Sequence, residues 1–327
     1  MPEGHTIHRL AQDIAGRFGG RPARVSSPQG KFSDAAALLS GAELHRTEAH
    51  GKHLFLGFRA LGGTADPGTA EPPWDTPPRQ QPADTTGHID DTHDAADAAD
   101  AADAHDADGA EDTEDAEATA WVHIHLGLFG KVTFGGAPAP PPTDTVRLRL
   151  VGPTAYVDLR GPTTCALIAD AEKRAIHARL GPDPLRDDPD PATAYARIRR
   201  SRTPIAALLM DQKVIAGVGN VYRAEVLFRH GIDPYRAGRD LTPAEWDAIW
   251  ADLAALMREG VRHNRIDTVR PEHTPEAMGR PPRVDDHGGE VYVYRRADLP
   301  CHICGTPVRT AGLAARNLFW CPTCQRT

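Results

Sequence analysis

The last 27 residues hold two CxxC pairs, Cys301-x2-Cys304 and Cys321-x2-Cys324, with 16 residues between them. A tight turn lets each pair place two thiolates on one ion, and two such knuckles close a tetrahedral shell. All four positions are then sulfur, and none is left for water. The spacing therefore predicts a four-cysteine zinc finger with one structural Zn2+. The stretch Arg309 to Trp320 becomes a hairpin tip bearing Arg309 and Arg316. Arginine on a pinned hairpin suits a nucleic-acid groove or a phosphate contact. With an intracellular protein as the default, five cysteines used this way argue against a disulfide framework. The fifth, Cys165, reads as a small buried hydrophobe.

The formal net charge of −8 conceals two opposite parts. Residues 62–120 carry 17 acids and one base, Arg79, or −16, so the other residues carry +8. Within that segment Asp94, Asp97, Asp100, Asp103 and Asp106 recur every third residue, mostly separated by alanine. Like charges at i, i+3 repel and no apolar stripe is available, so a disordered acidic insertion is expected. A basic body suits a polyanionic partner. No apolar run approaches the roughly 18 residues of a membrane span, and no signal peptide opens the chain.

Two grammars divide the remainder. Ile7, Leu10, Ala11 and Ile14 follow helical spacing near the start. Strand-like segments follow at Pro22–Ser27, His53–Phe58, Trp121–Leu126, Lys131–Phe134, Thr145–Val151 and Ala155–Arg160. Short strands with Gly/Pro punctuation predict an antiparallel sandwich or barrel, with the acidic segment inserted between two of its strands. Beyond Gly181-Pro182-Asp183-Pro184 the pattern turns helical. Asp190-Pro191 and Thr203-Pro204 read as N-caps with Pro at N1. Thr242-Pro243-Ala244-Glu245 reads as a capping box opening a helix to about Arg262, and Asn220–Arg229 as another helix. Residues 264–300 are irregular, with a strand-like Glu290–Tyr294.

The chain begins Met1-Pro2-Glu3-Gly4-His5. A small second residue permits removal of Met1, which exposes Pro2 as a secondary amine. With an α-amino pKa of about 8, a useful fraction of it is neutral and nucleophilic. Glu3 beside it is a candidate general acid or base. His123 and His125 alternate on one strand face, with no third metal ligand evident.

Met1-Pro2-Glu3-Gly4, then Gly51-Lys52-His53-Leu54, then Leu209-Met210-Asp211-Gln212 through Gly217-Val218-Gly219-Asn220-Val221-Tyr222, then the zinc finger, occur in this order. Together they resemble the formamidopyrimidine-DNA glycosylase/endonuclease VIII family, over nearly the whole chain except 62–120. The Pro-Glu-Gly-His start and Arg-Asn-Leu-Phe-Trp-Cys look most like its actinobacterial endonuclease VIII-like branch. The resemblance implies an α+β multidomain fold. It has an N-terminal β-sandwich with a leading helix (1–180), a helix–two-turn–helix domain (181–275), a connecting loop (276–300) and the zinc finger (301–327).

What the resemblance implies for the site is a bifunctional glycosylase and abasic-site lyase of base-excision repair. Pro2 is the nucleophile at C1′, Glu3 shuttles protons, Lys52 donates a proton and contacts phosphate, and Arg316 binds phosphate and serves a second elimination. Asn220 contacts DNA phosphate, with Gly217 and Gly219 permitting close backbone approach. Leu128 and Phe129 fall where the family fills the gap left by a flipped base, with core packing as the competing reading. Arg160 lies near a family DNA contact, although Asp158-Leu159-Arg160-Gly161-Pro162 departs from the usual arginine motif. Oxidised pyrimidines are the expected lesions, with oxidised purines or a non-catalytic DNA-binding role as alternatives. The expected partner is damaged DNA and not a membrane; the expected form is a cytoplasmic, nucleoid-associated monomer.

Overall fold

The computed structural model describes residues 2–59, 120–284 and 289–326. The expected disordered acidic insertion lies outside the described residues, save Ala120, which opens a strand.

Helix α1 (Gly4–Phe18) buries Ile7, Leu10, Ala11, Ile14 and Phe18 along one face. It packs on two antiparallel sheets. One has the order β1 (Arg21–Pro22), β3 (Glu43–His50), β4 (His53–Arg59), β5 (Ala120–His125), β9 (Thr164–Ile168). The other has the order β2 (Arg24–Ser26), β7 (Val146–Val151), β8 (Ala155–Arg160), β6 (Lys131–Gly136). Leu54, Leu56, Phe58, Val122 and Ile124 from the first sheet meet Leu148, Leu150, Val157 and Leu159 from the second in one core. The Pro22–Ser27 strand is split between the sheets at Ala23, as the sandwich requires of an edge that serves both layers. Strands β4 and β5 are direct neighbours, with His53 opposite His125, so the stretch 60–119 joins two adjacent strands.

Two short helices, α2 (Ser33–Leu39) and α3 (Asp170–Arg179), flank this part. The helical part follows: α4 (Pro191–Ile198), α5 (Ile205–Leu208), α6 (Asn220–Arg229), α7 (Pro243–His263) and α8 (Pro275–Met278). Asp190 caps α4 by accepting from Ala192 and Thr193, and the Thr242–Glu245 capping box opens α7. A second core joins Leu209, Tyr222, Leu227, Trp246, Leu253 and Met257 to Val308, Leu318 and Phe319 of the cysteine module. That module is a hairpin of β10 (Arg309–Leu313) and β11 (Arg316–Trp320).

Two expectations are corrected. Glu290–Tyr294 is not a strand: the backbone N–H groups of Tyr292, Val293 and Tyr294 all donate to the buried carboxylate of Glu225, at 2.7, 2.9 and 2.8 Å. A side chain on α6 thus replaces the partner strand. Thr203 does not cap α5; Pro204 holds that position without a side-chain bond, and the Thr203 carbonyl accepts from Gly238 instead. Among the described residues no helix is long and apolar enough to cross a membrane.

Candidate active site

Glu3 is wholly buried. Its carboxylate accepts from the backbone N–H of Gly219 at 2.9 Å, Val221 at 2.8 Å and Tyr222 at 3.4 Å. These are the orphan donors at the N-terminus of α6, whose N-cap, Gly219, has no side chain to satisfy them. Glu3 therefore caps α6 from across the chain, where the helix dipole favours a negative charge. Gly4 donates to the Gly217 carbonyl at 2.8 Å, so the start of α1 is pinned to the same turn. Pro2, half-buried, stands one residue before the capping carboxylate.

Lys52 reaches the same turn. It follows Gly51 in the β3–β4 turn, and its Nζ donates to the Val218 carbonyl at 2.8 Å. Burial pushes the Glu3 carboxyl above the ordinary carboxylate range, opposed by the Lys52 charge and the three N–H groups. Burial likewise pushes the Lys52 ammonium down; Glu3 opposes this, while Arg316 and Arg223 add to it. A carboxyl raised and an amine lowered toward working pH are the states in which side chains exchange protons.

Gly219 lies against Glu3. A Cβ there would stand 2.4 Å from the Glu3 carboxyl carbon, so the glycine makes room for Glu3. Asn220 points to the zinc hairpin: its Nδ2 donates to the Asn317 carbonyl at 3.0 Å, while its buried Oδ1 has no partner among the described residues. Arg316 opens β11, half-buried, with its Nε likewise unpartnered. Leu128 and Phe129 stand in the β5–β6 turn, 47% and 86% exposed, which removes the core-packing reading. Gly127 is required there by φ +66° and by Thr163, whose Oγ1 lies 1.9 Å from a Cβ position. Arg160 is held on the second sheet by Asp158 at 2.9 Å and Thr133 at 2.9 Å. Asp158 also receives a buried two-pronged contact from Arg149, at 2.6 and 2.9 Å. Cys165 packs partly buried against the N-terminal core, and burial pushes its thiol up to about 12.

Several neighbours had no role assigned from the sequence. Gln212 braces the turn, donating to Val218 at 2.9 Å and accepting from Gly217 at 3.0 Å. Arg223 is fully buried, donates to Ala206 at 3.2 Å and leaves Nε and Nη2 unpartnered; burial lowers its pKa to about 10. His53 is a third imidazole beside His123, Nδ1 to Nε2 at 2.8 Å, and its ring centre lies 4.9 Å from that of His125. A cross-strand pairing of this kind has no signature along the chain.

The four cysteine sulfurs lie within 4.8 Å of one another, with Cys301–Cys324 at 3.8 Å and Cys304–Cys321 at 3.4 Å. A tetrahedral Zn2+ with Zn–S of about 2.3 Å needs S···S separations of about 3.8 Å, so the donors fit a structural zinc. Backbone N–H groups of Ile303 and Cys324 point at cysteine sulfurs, at 3.4 and 3.5 Å. Gln325 ties the knuckle to the helical part through the Ile232 carbonyl at 3.0 Å. Among the described residues this is the one group that brings three or more such ligand atoms together.

Residues 180–270 match the model of the formamidopyrimidine-DNA glycosylase H2TH domain, and 298–327 that of the zinc finger found in FPG and IleRS. The chain is 45% identical to "Endonuclease 8 1" of Mycobacterium tuberculosis, across 99% of this chain and 100% of the relative. It is 32% identical to the formamidopyrimidine-DNA glycosylase of Thermosynechococcus vestitus, across 62% of this chain and 72% of the relative. Lactococcus lactis Fpg, solved with DNA containing N7-benzyl-Fapy-dG, shares the fold with a TM-score of 0.66 at 16% identity, each chain covered in full. Full-length identity of this order, on this architecture and with both matched modules in place, makes the chain a member of the formamidopyrimidine-DNA glycosylase/endonuclease VIII family of base-excision-repair DNA glycosylases and abasic-site lyases.

Proposed function

We propose that this enzyme removes oxidised bases, pyrimidines foremost, from damaged DNA through a covalent Pro2 intermediate. The observation that carries the reading is the seat of Glu3: a buried carboxylate one residue from Pro2, fixed by three backbone donors and faced by Lys52. With Met1 removed, the Pro2 nitrogen attacks C1′ of the flipped nucleotide. The N–C1′ bond forms and the glycosidic bond breaks, its electron pair leaving with the base, which takes a proton. The sugar ring opens to an iminium, and Glu3 and Lys52 hold and pass the protons. The iminium acidifies C2′; loss of that proton expels the 3′ phosphate. A second elimination, served by Arg316, releases the 5′ phosphate, and water frees Pro2.

Arg316, Lys52 and Asn220 are the proposed phosphate contacts, Arg160 a further DNA contact, and Leu128 with Phe129 the residues that fill the vacated stack. The exposure of that pair supports the last role. The four units proposed are 1–180, 181–275, 276–300 and 301–327, in a monomer that works on the nucleoid. The likeness to "Endonuclease 8 1" over the full chain supports pyrimidine lesions; similarity to the glycosylases named for formamidopyrimidine keeps oxidised purines as the rival substrate. Single-turnover excision on duplexes carrying one lesion each decides it. Faster release of thymine glycol or 5-hydroxycytosine than of 8-oxoguanine is expected; the reverse order overturns the pyrimidine assignment.

A further inference from the structure

Asp183 lies in the Gly-Pro-Asp-Pro segment between the sandwich and the helices and is 1% exposed. Its Oδ2 accepts from the Gly51 N–H at 2.6 Å and from His8 Nε2 at 2.8 Å; its Oδ1 accepts from the Leu185 N–H at 2.9 Å. Burial pushes the carboxyl up, but His8 and the two N–H groups outweigh it and hold it below the usual range. One carboxylate thus touches the helix that begins at Glu3 and the turn that presents Lys52.

The surroundings leave little slack. Gly51 has φ +59°, and a Cβ there would lie 2.9 Å from Ala216 Cβ and 3.0 Å from Gly217 N. The two residues just before Asp183 are fastened to the turn: Gly181 donates to Gln212 at 2.8 Å, and the Pro182 carbonyl accepts from Ala216 at 3.0 Å. From Asp183 the contacts run through Gly51 and Lys52 to Val218, and from the neighbouring Gly217 to Gly4. This path ends at Gly4, the residue that follows Glu3.

We propose that Asp183 is a positioning residue, whose bonds to Gly51 and His8 hold the Lys52 turn in register with the Pro2–Glu3 segment during the reaction. The proposal rests on the role given to Lys52 above. Misplacing a reacting group by about 1 Å costs on the order of 100-fold in rate, so Asp183→Asn slows the chemical step about 10- to 100-fold. Affinity for duplex DNA containing an uncleavable abasic analogue changes little, because Asp183 is buried.

The test is a double-mutant cycle on single-turnover cleavage of abasic duplex, using Lys52→Ala, Asp183→Asn and the pair. The account expects Asp183→Asn to have almost no further effect once Lys52 is alanine. Multiplying effects, or a loss seen mainly in DNA affinity, overturn the positioning role while leaving Lys52's own role standing. If Lys52→Ala cleaves as fast as wild type, the Lys52 role fails and this inference falls with it. His8→Phe, which removes one tether and keeps the carboxylate, repeats the cycle should Asp183→Asn not fold; additivity there is equally contrary.

Discussion

Gly219 and Glu3 occupy one space: the position a Cβ of Gly219 would take is 2.4 Å from the carboxyl carbon of Glu3 and 2.6 Å from its Oε1. The missing side chain of a helix N-cap is thereby replaced by a carboxylate from the chain's third residue. Glu3 is anchored by backbone, which cannot rotate away, and Lys52 by the Val218 carbonyl one residue earlier. The preorganisation of the proposed site depends on that one turn.

Gly219→Ala is therefore expected to expel the Glu3 carboxylate from its seat. Single-turnover excision should fall on the order of 100-fold, the scale of a lost proton-transfer group, and match Glu3→Gln. Fold stability should drop by about 1–3 kcal/mol, as for an overpacked core. Excision kinetics with denaturant unfolding of both variants checks this.

The pH profile should carry the same signature. The Glu3 carboxyl titrates above the ordinary 4.5. A step that needs its carboxylate loses rate as pH falls through that raised value. The kcat/KM profile should thus show an acid limb above 4.5, separate from the one that protonation of the Pro2 amine sets at about 8. In Lys52→Gln the residual activity should show the Glu3 limb at still higher pH, because the cation that favours the carboxylate is gone.

The histidines on the outer face of the first sheet predict a stability effect. Burial first, then the surrounding histidines and, for His123, Arg179, all of which disfavour a further positive charge, hold His123 down to about 4 and His53 to about 3. The unfolded chain takes up these protons below about 6.5, whereas the folded one stays neutral. Stability is therefore lost as pH falls from about 6.5 and levels off once the folded-state values are passed. His123→Gln, which still accepts from His53, should flatten the slope by up to about 1.4 kcal/mol per pH unit. Denaturant unfolding between pH 7 and 4.5 measures it.

The zinc hairpin turns at Ala314 and Ala315, both with positive φ, 53° and 55°. Alanine pays for that conformation, and Asn-Gly suits such a two-residue turn. Replacing the pair by Asn-Gly should stabilise the hairpin by about 1 kcal/mol, read as slower zinc loss to a chelator at unchanged lyase rate.

Where one local rule governed, the chain was readable. The α7 capping box, the apolar stripe of α1 and the cysteine spacing each act within a few residues, and each stands where the pattern put it. Strand β9 lacked a signal because Thr164 to Ile168 are all half-buried and show no alternation. Helix α3 buries none of its residues and so has no stripe to read. At the site, Pro2, Glu3 and Lys52 were reached by motif order. The roles of Asp183 and Arg223 were not legible, because they arise from contacts distant along the chain, such as the Gly51–Asp183 bond spanning 132 positions; Gln212 stood within the quoted motif but carried no role there.

The covalent claim is tested most directly by borohydride reduction of the enzyme on abasic duplex, followed by peptide mapping of the adduct. The account predicts one adduct, at the nitrogen of Pro2 in a chain that has lost Met1, and none in Pro2→Gly under the same conditions. An adduct on a lysine, equal trapping by Pro2→Gly, or an active protein that retains Met1 would contradict it.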